Sequence, residues 1–194
     1  MDCTEIRRAE EFLERFLSPP RVAHSLRVAE EAGKLARVHG EDVRRAYLAG
    51  LLHDCARDLP RRVLEELLPP YLKDEGCMVP EILHALAAPA LLERELCLRD
   101  FRVLRAVRWH ATGCEWMSPL DKVVFVADIA EPGREFPEAC EIRRVAYEDL
   151  RKGYLLALRT KMIYLLTTYG VIYPESLKSW NREVCLLHGE RSFR

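Results

Sequence analysis

Residues 46–56 read AYLAGLLHDCA, an apolar run that ends in the adjacent pair His53-Asp54. Wound at 3.6 residues per turn, the run is apolar on almost every side, which is the pattern of a buried helix. Glu41 and Asp42 stand just ahead of it, where negative charge complements the amino-terminal end of a helix dipole. The segment therefore predicts a core helix, starting near 41 or 42, that delivers an imidazole and a carboxylate at its end. Polar groups in such a place need partners.

Helical spacing extends outward from this run. Upstream, RVAHSLRVAEEAGKLARVHG places Val22, Leu26, Ala29, Leu35 and Val38 on one side, with Gly40 as the stop. Ser18-Pro19-Pro20 separates it from an amphipathic opening segment, Glu5 to Phe16. Downstream, helices are predicted for Arg61 to Leu68, Glu81 to Leu96, Phe101 to Trp109, Leu120 to Ala130 and Glu138 to about Tyr169, with a short one after Pro174. Loops carry Pro69-Pro70, Gly76, Gly113, Ser118-Pro119 and Pro132-Gly133. The segment from Glu138 reads as one structural helix covering the core, with Gly153 as a point where it would kink. Repeats, low-complexity tracts and β-rich patterning are absent. The expectation is an all-α fold in a single domain spanning 1–194, with its core at about 21–130 and carboxy-terminal helices at about 138–188 packed on it.

The 194 residues include 30 basic and 31 acidic side chains, for a formal net charge of -1, so no global positive field favours long nucleic acid or an anionic membrane. MDCTEIRRAEEF is charged from its second residue, unlike a secretory leader. No apolar run approaches the roughly 18 residues of a membrane span, so a cytoplasmic location is expected. The seven cysteines are scattered without a C-x-x-C pair and read as free thiols. Cys55, beside Asp54, is the one whose oxidation would bear on the site.

Chance alone supplies a His-Asp pair in about one chain in three or four of this composition, so the dipeptide is weak by itself. Its context is stronger. His24 lies early in its helix, His84 lies in EILHALAA, His110 closes VLRAVRWH, and Asp128 closes KVVFVAD. Each is a polar group set against apolar residues, and a helical bundle is where such side chains converge. Imidazole and carboxylate together suit a first-row divalent metal. A hydrogen-bonded core histidine beside a capping aspartate is the alternative at each position. His39, beside Gly40, and His188 fit surface or structural roles. Arg21 and Arg27 flank His24 by one turn, Arg57 follows Asp54 by three residues, and Arg134 follows the turn after Asp128. Arginine forks bind phosphate, and Thr112-Gly113 would add a hydroxyl or a close backbone N–H.

The series His24, His53-Asp54 and Asp128 resembles the H…HD…D signature of the HD-domain superfamily of metal-dependent phosphohydrolases. More narrowly, AGLLHDCARDL, WHATG, MSPLDKVVFVADIAEPGREF and the following Ile142-Arg143 with Ala146 resemble the bacterial YqeK family of symmetrical bis(5'-nucleosyl)-tetraphosphatases. The likeness runs from about Arg21 to the segment 174–181. It implies an HD-domain helical bundle with a metal site in its interior cleft, holding one or two iron ions, with manganese or cobalt as substitutes. It also implies that diadenosine tetraphosphate is cleaved to two ADP. His24, His53, Asp54 and Asp128 would hold the metal, and His84 and His110 would act in catalysis beside Asp54 or hold a second ion. Arg21, Arg27, Arg57, Thr112 and Arg134 would face the polyphosphate. The implied ligands are a dinucleoside polyphosphate and a nucleoside diphosphate, and a homodimer is compatible with the resemblance. Ala85, Ala88 and Ala111 depart from the family's usual Gly, Gly and Thr, and Arg57 stands where Lys is frequent. Rival readings are an HD phosphohydrolase of a guanosine alarmone, a deoxynucleotide or a monophosphate, and a silent nucleotide-binding scaffold.

Overall fold

The computed structural model describes residues 3–72 and 79–191, so the predicted Gly76 loop and Cys77 lie outside the described residues. Within that range the helices are α1 (Cys3–Phe16), α2 (Pro19–Val38), α3 (Val43–Leu52), α4 (Arg61–Leu67), α5 (Pro80–Glu95), α6 (Phe101–Trp109), α7 (Pro119–Ala130), α8 (Pro137–Glu148), α9 (Leu150–Tyr169) and α10 (Pro174–Arg191). A 3-10 turn covers Pro70–Leu72, and there is no strand among the described residues.

Local chemistry explains the starts. Asp42 caps α3 by accepting from the Arg45 N–H, and Ser118 and Asp121 form a reciprocal capping box at α7. Proline occupies the first turn of α2, α5, α7 and α8, where its missing N–H costs nothing.

The most deeply set element is α7, buried at every residue from Leu120 to Ala130 and in contact with α2, α3, α6, α8 and α9. Gly50 lets α3 approach α2, since a Cβ there would sit 3.0 Å from the Cα of Ala29 and from the carbonyl of Val28. This close approach brings the ends of α2, α3 and α7 together at the His-Asp cluster.

Two expectations change. The segment predicted as one helix from Glu138 to Tyr169 is two helices, because Asp149 is extended (φ -151°, ψ 103°), ending α8 and capping α9 through the Lys152 N–H. Gly153 does not kink α9. It is instead the point where α9 lies against Ala146 of α8. The helix after Pro174 is not short, since it runs for 18 residues. It is fastened by polar contacts: Lys122 Nζ to Glu183 Oε1 (2.6 Å), the Tyr154 and Ser179 hydroxyls (2.6 Å), and Ser176 Oγ donating to the Thr112 carbonyl (2.8 Å). His39 is structural, with Nε2 bonded to the carbonyl of Ala146.

The chain leaving α5 passes through Cys97, an exposed residue at φ +54°. Left-handed backbone is strained for a residue with a Cβ and free for glycine. Cys97→Gly is expected to raise stability by about 0.5–1 kcal/mol, visible as a melting temperature higher by roughly 1–4 °C. A lower melting temperature would count against this strain.

Candidate metal centre

Four histidines and two aspartates from five helices meet in one pocket of the bundle. His24 comes from the second turn of α2 and His84 from that of α5, while Asp128 comes from the last turn of α7. His53 and His110 are the residues that close α3 and α6. The carboxy-terminal ends of three helices therefore face the cluster, and their partial negative charge favours a cation.

Each imidazole is anchored through Nδ1. His53 Nδ1 lies 2.7 Å from the Gly50 carbonyl, His110 Nδ1 2.7 Å from the Val107 carbonyl and His84 Nδ1 2.9 Å from the Pro80 carbonyl. His24 Nδ1 lies 3.1 Å from Glu131 Oε1. For His24, His53 and His110, donation to an oxygen on that side leaves Nε2 with its lone pair toward the centre, the arrangement that orients metal-ligating histidines.

The centre they face is anionic. Asp54 Oδ1 lies 2.8 Å from His84 Nε2 and 3.5 Å from His110 Nε2, and Asp128 Oδ1 lies 3.3 Å from His24 Nε2. His53 Nε2 is 3.7 Å from an oxygen of each aspartate and is buried without a hydrogen-bond partner. An imidazole lone pair directed at two carboxylates is unfavourable unless a cation lies between them. The donor atoms form two overlapping sets within 4.8 Å, His24, His53 and Asp128, and His53, Asp54 and His110, so the residues fit a metal.

Electrostatics agree with that assignment. Burial pushes His53 down to about 4 and lowers His110, so both are neutral ligands at physiological pH. Burial opposes ionisation of the two aspartates, yet each is held well below the ordinary carboxylate range, Asp54 by the imidazoles of His53 and His84 and Asp128 by Lys161 and His24. His24 is raised: burial, the largest single influence, works against its charge, but the hydrogen bond and the charge of Asp128 together outweigh that penalty.

His84 differs from the other three. Its Nδ1 is also 2.9 Å from Arg57 Nη1, so the proton has two settings. With Nδ1 donating to Pro80, Nε2 is a lone pair. With Nδ1 accepting from Arg57, Nε2–H donates to Asp54.

A family description, "HD domain", matches residues 21–133. The chain belongs to the HD-domain family. Among full-length relatives, it is 31% identical to a Bacillus subtilis (strain 168) protein named bis(5'-nucleosyl)-tetraphosphatase, symmetrical, over 85% of this chain and 90% of the other. A protein of the same name from Staphylococcus aureus is 31% identical over 91% of this chain and 93% of its own. In three dimensions the chain resembles a Clostridium acetobutylicum protein described as a predicted HD superfamily hydrolase involved in NAD metabolism, with TM-score 0.82, 32% identity, and coverage of 93% of this chain and 97% of that one. The chain is accordingly an HD-domain hydrolase whose His-Asp cluster is able to bind a metal.

Around the cluster the arginines differ in what they hold. Arg134 donates to Asp128 Oδ1 at 2.7 Å and to its main-chain carbonyl at 2.9 Å. Arg21 lies 3.8 Å from Asp54 Oδ2 and is bonded more tightly to Asp58, at 2.6 Å. Arg57 links His84 to Glu81. Arg27 grips Glu131 with two hydrogen bonds, at 2.7 and 3.2 Å, and so steadies the carboxylate behind His24. Thr112 is buried, its hydroxyl donating to the Gly113 carbonyl and its own carbonyl accepting from α10. Cys55 is sealed in the core, where burial pushes its thiol far up, so it lacks the exposed thiolate that oxidation requires.

Three contributors escaped sequence reasoning. Glu131 is 1% exposed and backs His24. Its place one turn after Asp128 was the available signal. Asp58 holds Arg21, and it sits in the same CARDL stretch as Arg57. Lys161, midway along α9, places Nζ 3.0 Å from Asp128 Oδ2 and 3.1 Å from the His110 carbonyl. Nothing in its neighbourhood of sequence marks it. Lys161→Met keeps the aliphatic stem and removes the cation, so turnover is expected to fall on the order of 10²-fold with helical content unchanged. Wild-type kcat/KM in this variant would leave Lys161 a structural residue only.

Proposed function

We propose that this chain hydrolyses dinucleoside tetraphosphates, with diadenosine tetraphosphate cleaved symmetrically to two ADP. The observation that carries the reading is the set of four Nδ1-anchored imidazoles turned with two carboxylates toward one point, rimmed by Arg21, Arg57, Arg134 and Lys161. The names of the full-length relatives support the choice of substrate. The proposal treats residues 1–194 as one HD unit acting in the cytoplasm.

His24, His53, Asp54 and Asp128 would hold the metal, with His84 and His110 in place for a second ion or for catalysis. Iron is the proposed ion, with manganese and cobalt as substitutes. When bound, it supplies Lewis acidity toward a phosphoryl oxygen and activates water for attack at neutral pH. The remaining work belongs to side chains. Arg134 and Lys161 already sit on Asp128, where they would neutralise charge spreading over the equatorial phosphate oxygens. Arg21, 38% exposed at its side chain, would take a phosphate further out. His84 Nε2, against Asp54 Oδ1, is placed to hold or release a proton at that atom.

Anaerobic purification with metal quantification, followed by chromatography of the products from diadenosine tetraphosphate, tests the proposal. Two ADP per substrate are expected. ATP plus AMP would contradict symmetrical cleavage, and turnover of a guanosine alarmone, deoxynucleotide or monophosphate in its place would move the chain to another HD phosphohydrolase class.

A further inference from the structure

Beyond Lys161, α9 continues past the metal centre and carries two exposed tyrosines, Tyr164 and Tyr169, 49% and 38% accessible. They lie three and eight residues after Lys161, so they climb away from the cluster by roughly 4.5 and 12 Å along the helix axis. Their rings meet edge to face, with centroids 6.4 Å apart and planes at 82°. The Tyr169 phenol faces the carboxylate of Glu81. Glu81 Oε1 is 3.1 Å from Arg57 Nη2, Arg57 Nη1 is 2.9 Å from His84 Nδ1, and His84 Nε2 is 2.8 Å from Asp54. The aromatic pair thus shares α9 with Lys161, which reaches the cluster at Asp128.

Phe101 and Trp116 are more exposed, but Tyr164 and Tyr169 pack ring against ring on the helix whose Lys161 reaches the cluster. We propose that Tyr164 and Tyr169 form a stacking platform for the base of one nucleoside arm of the substrate. Every nucleobase offers a π-face, and stacking on a tyrosine is sequence-tolerant. The edge-to-face contact between the two rings orders them before ligand arrives, which reduces the ordering cost of binding. A platform on α9 takes one arm, with its phosphates lying toward Lys161 and the metal centre and the second arm leaving on the side of Arg21. The inference rests on the dinucleotide reading for its ligand, while its test does not depend on turnover.

Titration calorimetry of the full, manganese-loaded chain with ADP and with inorganic pyrophosphate separates base recognition from phosphate recognition. In Tyr164→Ala/Tyr169→Ala, affinity for ADP is expected to fall about tenfold or more while affinity for pyrophosphate stays at the wild-type value. Tyr164→Phe/Tyr169→Phe keeps the rings and should retain ADP affinity. Unchanged ADP affinity in the alanine variant, or pyrophosphate affinity falling in step with ADP, overturns the platform. Should the double alanine variant fail to fold, Tyr164→Leu alone gives the same comparison at the more exposed ring. A wild-type chain that prefers ADP to pyrophosphate through these rings but does not cleave the dinucleotide supports the platform and sinks the hydrolysis. One that cleaves it, with unaltered KM in the alanine variant, sinks the platform alone.

Discussion

Asp54→Ala is expected to lower turnover of diadenosine tetraphosphate by on the order of 10³-fold or more, with metal content per chain falling in parallel. Asp54 is the anion on which the cluster converges: His84, His110 and His53 all direct Nε2 toward its oxygens, at 2.8, 3.5 and 3.7 Å, and Arg21 approaches from the rim. Alanine removes an oxygen donor from the centre and leaves Asp128, alone of the two aspartates, to balance a cation's charge. The fold should survive, because each imidazole remains fastened to a backbone carbonyl or to Glu131 through Nδ1, and Asp54 takes no part in the helix–helix packing of the core. Asp54→Asn, which preserves shape and removes charge, should be similarly inactive. Wild-type turnover in metal-replete Asp54→Ala would end the assignment of this aspartate, whatever the substrate.

Gly153→Ala is expected to destabilise the protein by about 3 kcal/mol, one of the largest effects a single methyl group can have in this chain. A Cβ at Gly153 would stand 2.5 Å from the Cα and 2.9 Å from the nitrogen of Ala146, and these backbone atoms cannot swing aside. The two helices must separate, and the melting temperature should drop by roughly 6–12 °C for a chain of this size. Because α9 carries Lys161 onto Asp128, activity should also decline at temperatures where the variant is still folded. Gly189→Ala, where an added Cβ meets nothing within 4 Å, is the matched control and should be neutral or slightly stabilising, since alanine is the better helix former. A Gly153→Ala variant as stable as that control would show that α8 and α9 do not meet as closely as described.

Much of the centre was legible because its residues break a local pattern. His53-Asp54, His110 and Asp128 each close an apolar run, and His24 and His84 sit among apolar neighbours, so each stands out from its own helix before any tertiary contact is known. The helices that carry them were readable for a related reason, since periodicity, prolines and capping residues act within a few positions of one another. Asp149 shows the limit of local signals. One extended residue in AYEDLRK divides two helices, and nothing in that composition opposes a continuous helix. The division follows from packing, because α8 must leave α7 before α9 can return across it.

What the sequence by itself determined is therefore the inventory: an all-helical chain in which His53-Asp54 ends a buried helix and shares its chemistry with His24, His84, His110 and Asp128. Only the tertiary structure brought Lys161, Glu131 and Arg27 around the cluster and set Tyr164 against Tyr169. Lys161 is an ordinary lysine on an ordinary helix until α9 crosses α7 and sets its ammonium 3.0 Å from Asp128. Arg27 reads as a phosphate ligand until Glu131, 104 residues later, takes both of its donor contacts. A charged side chain's function is set by the charge it faces, and in a helical bundle that partner comes from another helix, at a sequence distance no local pattern records.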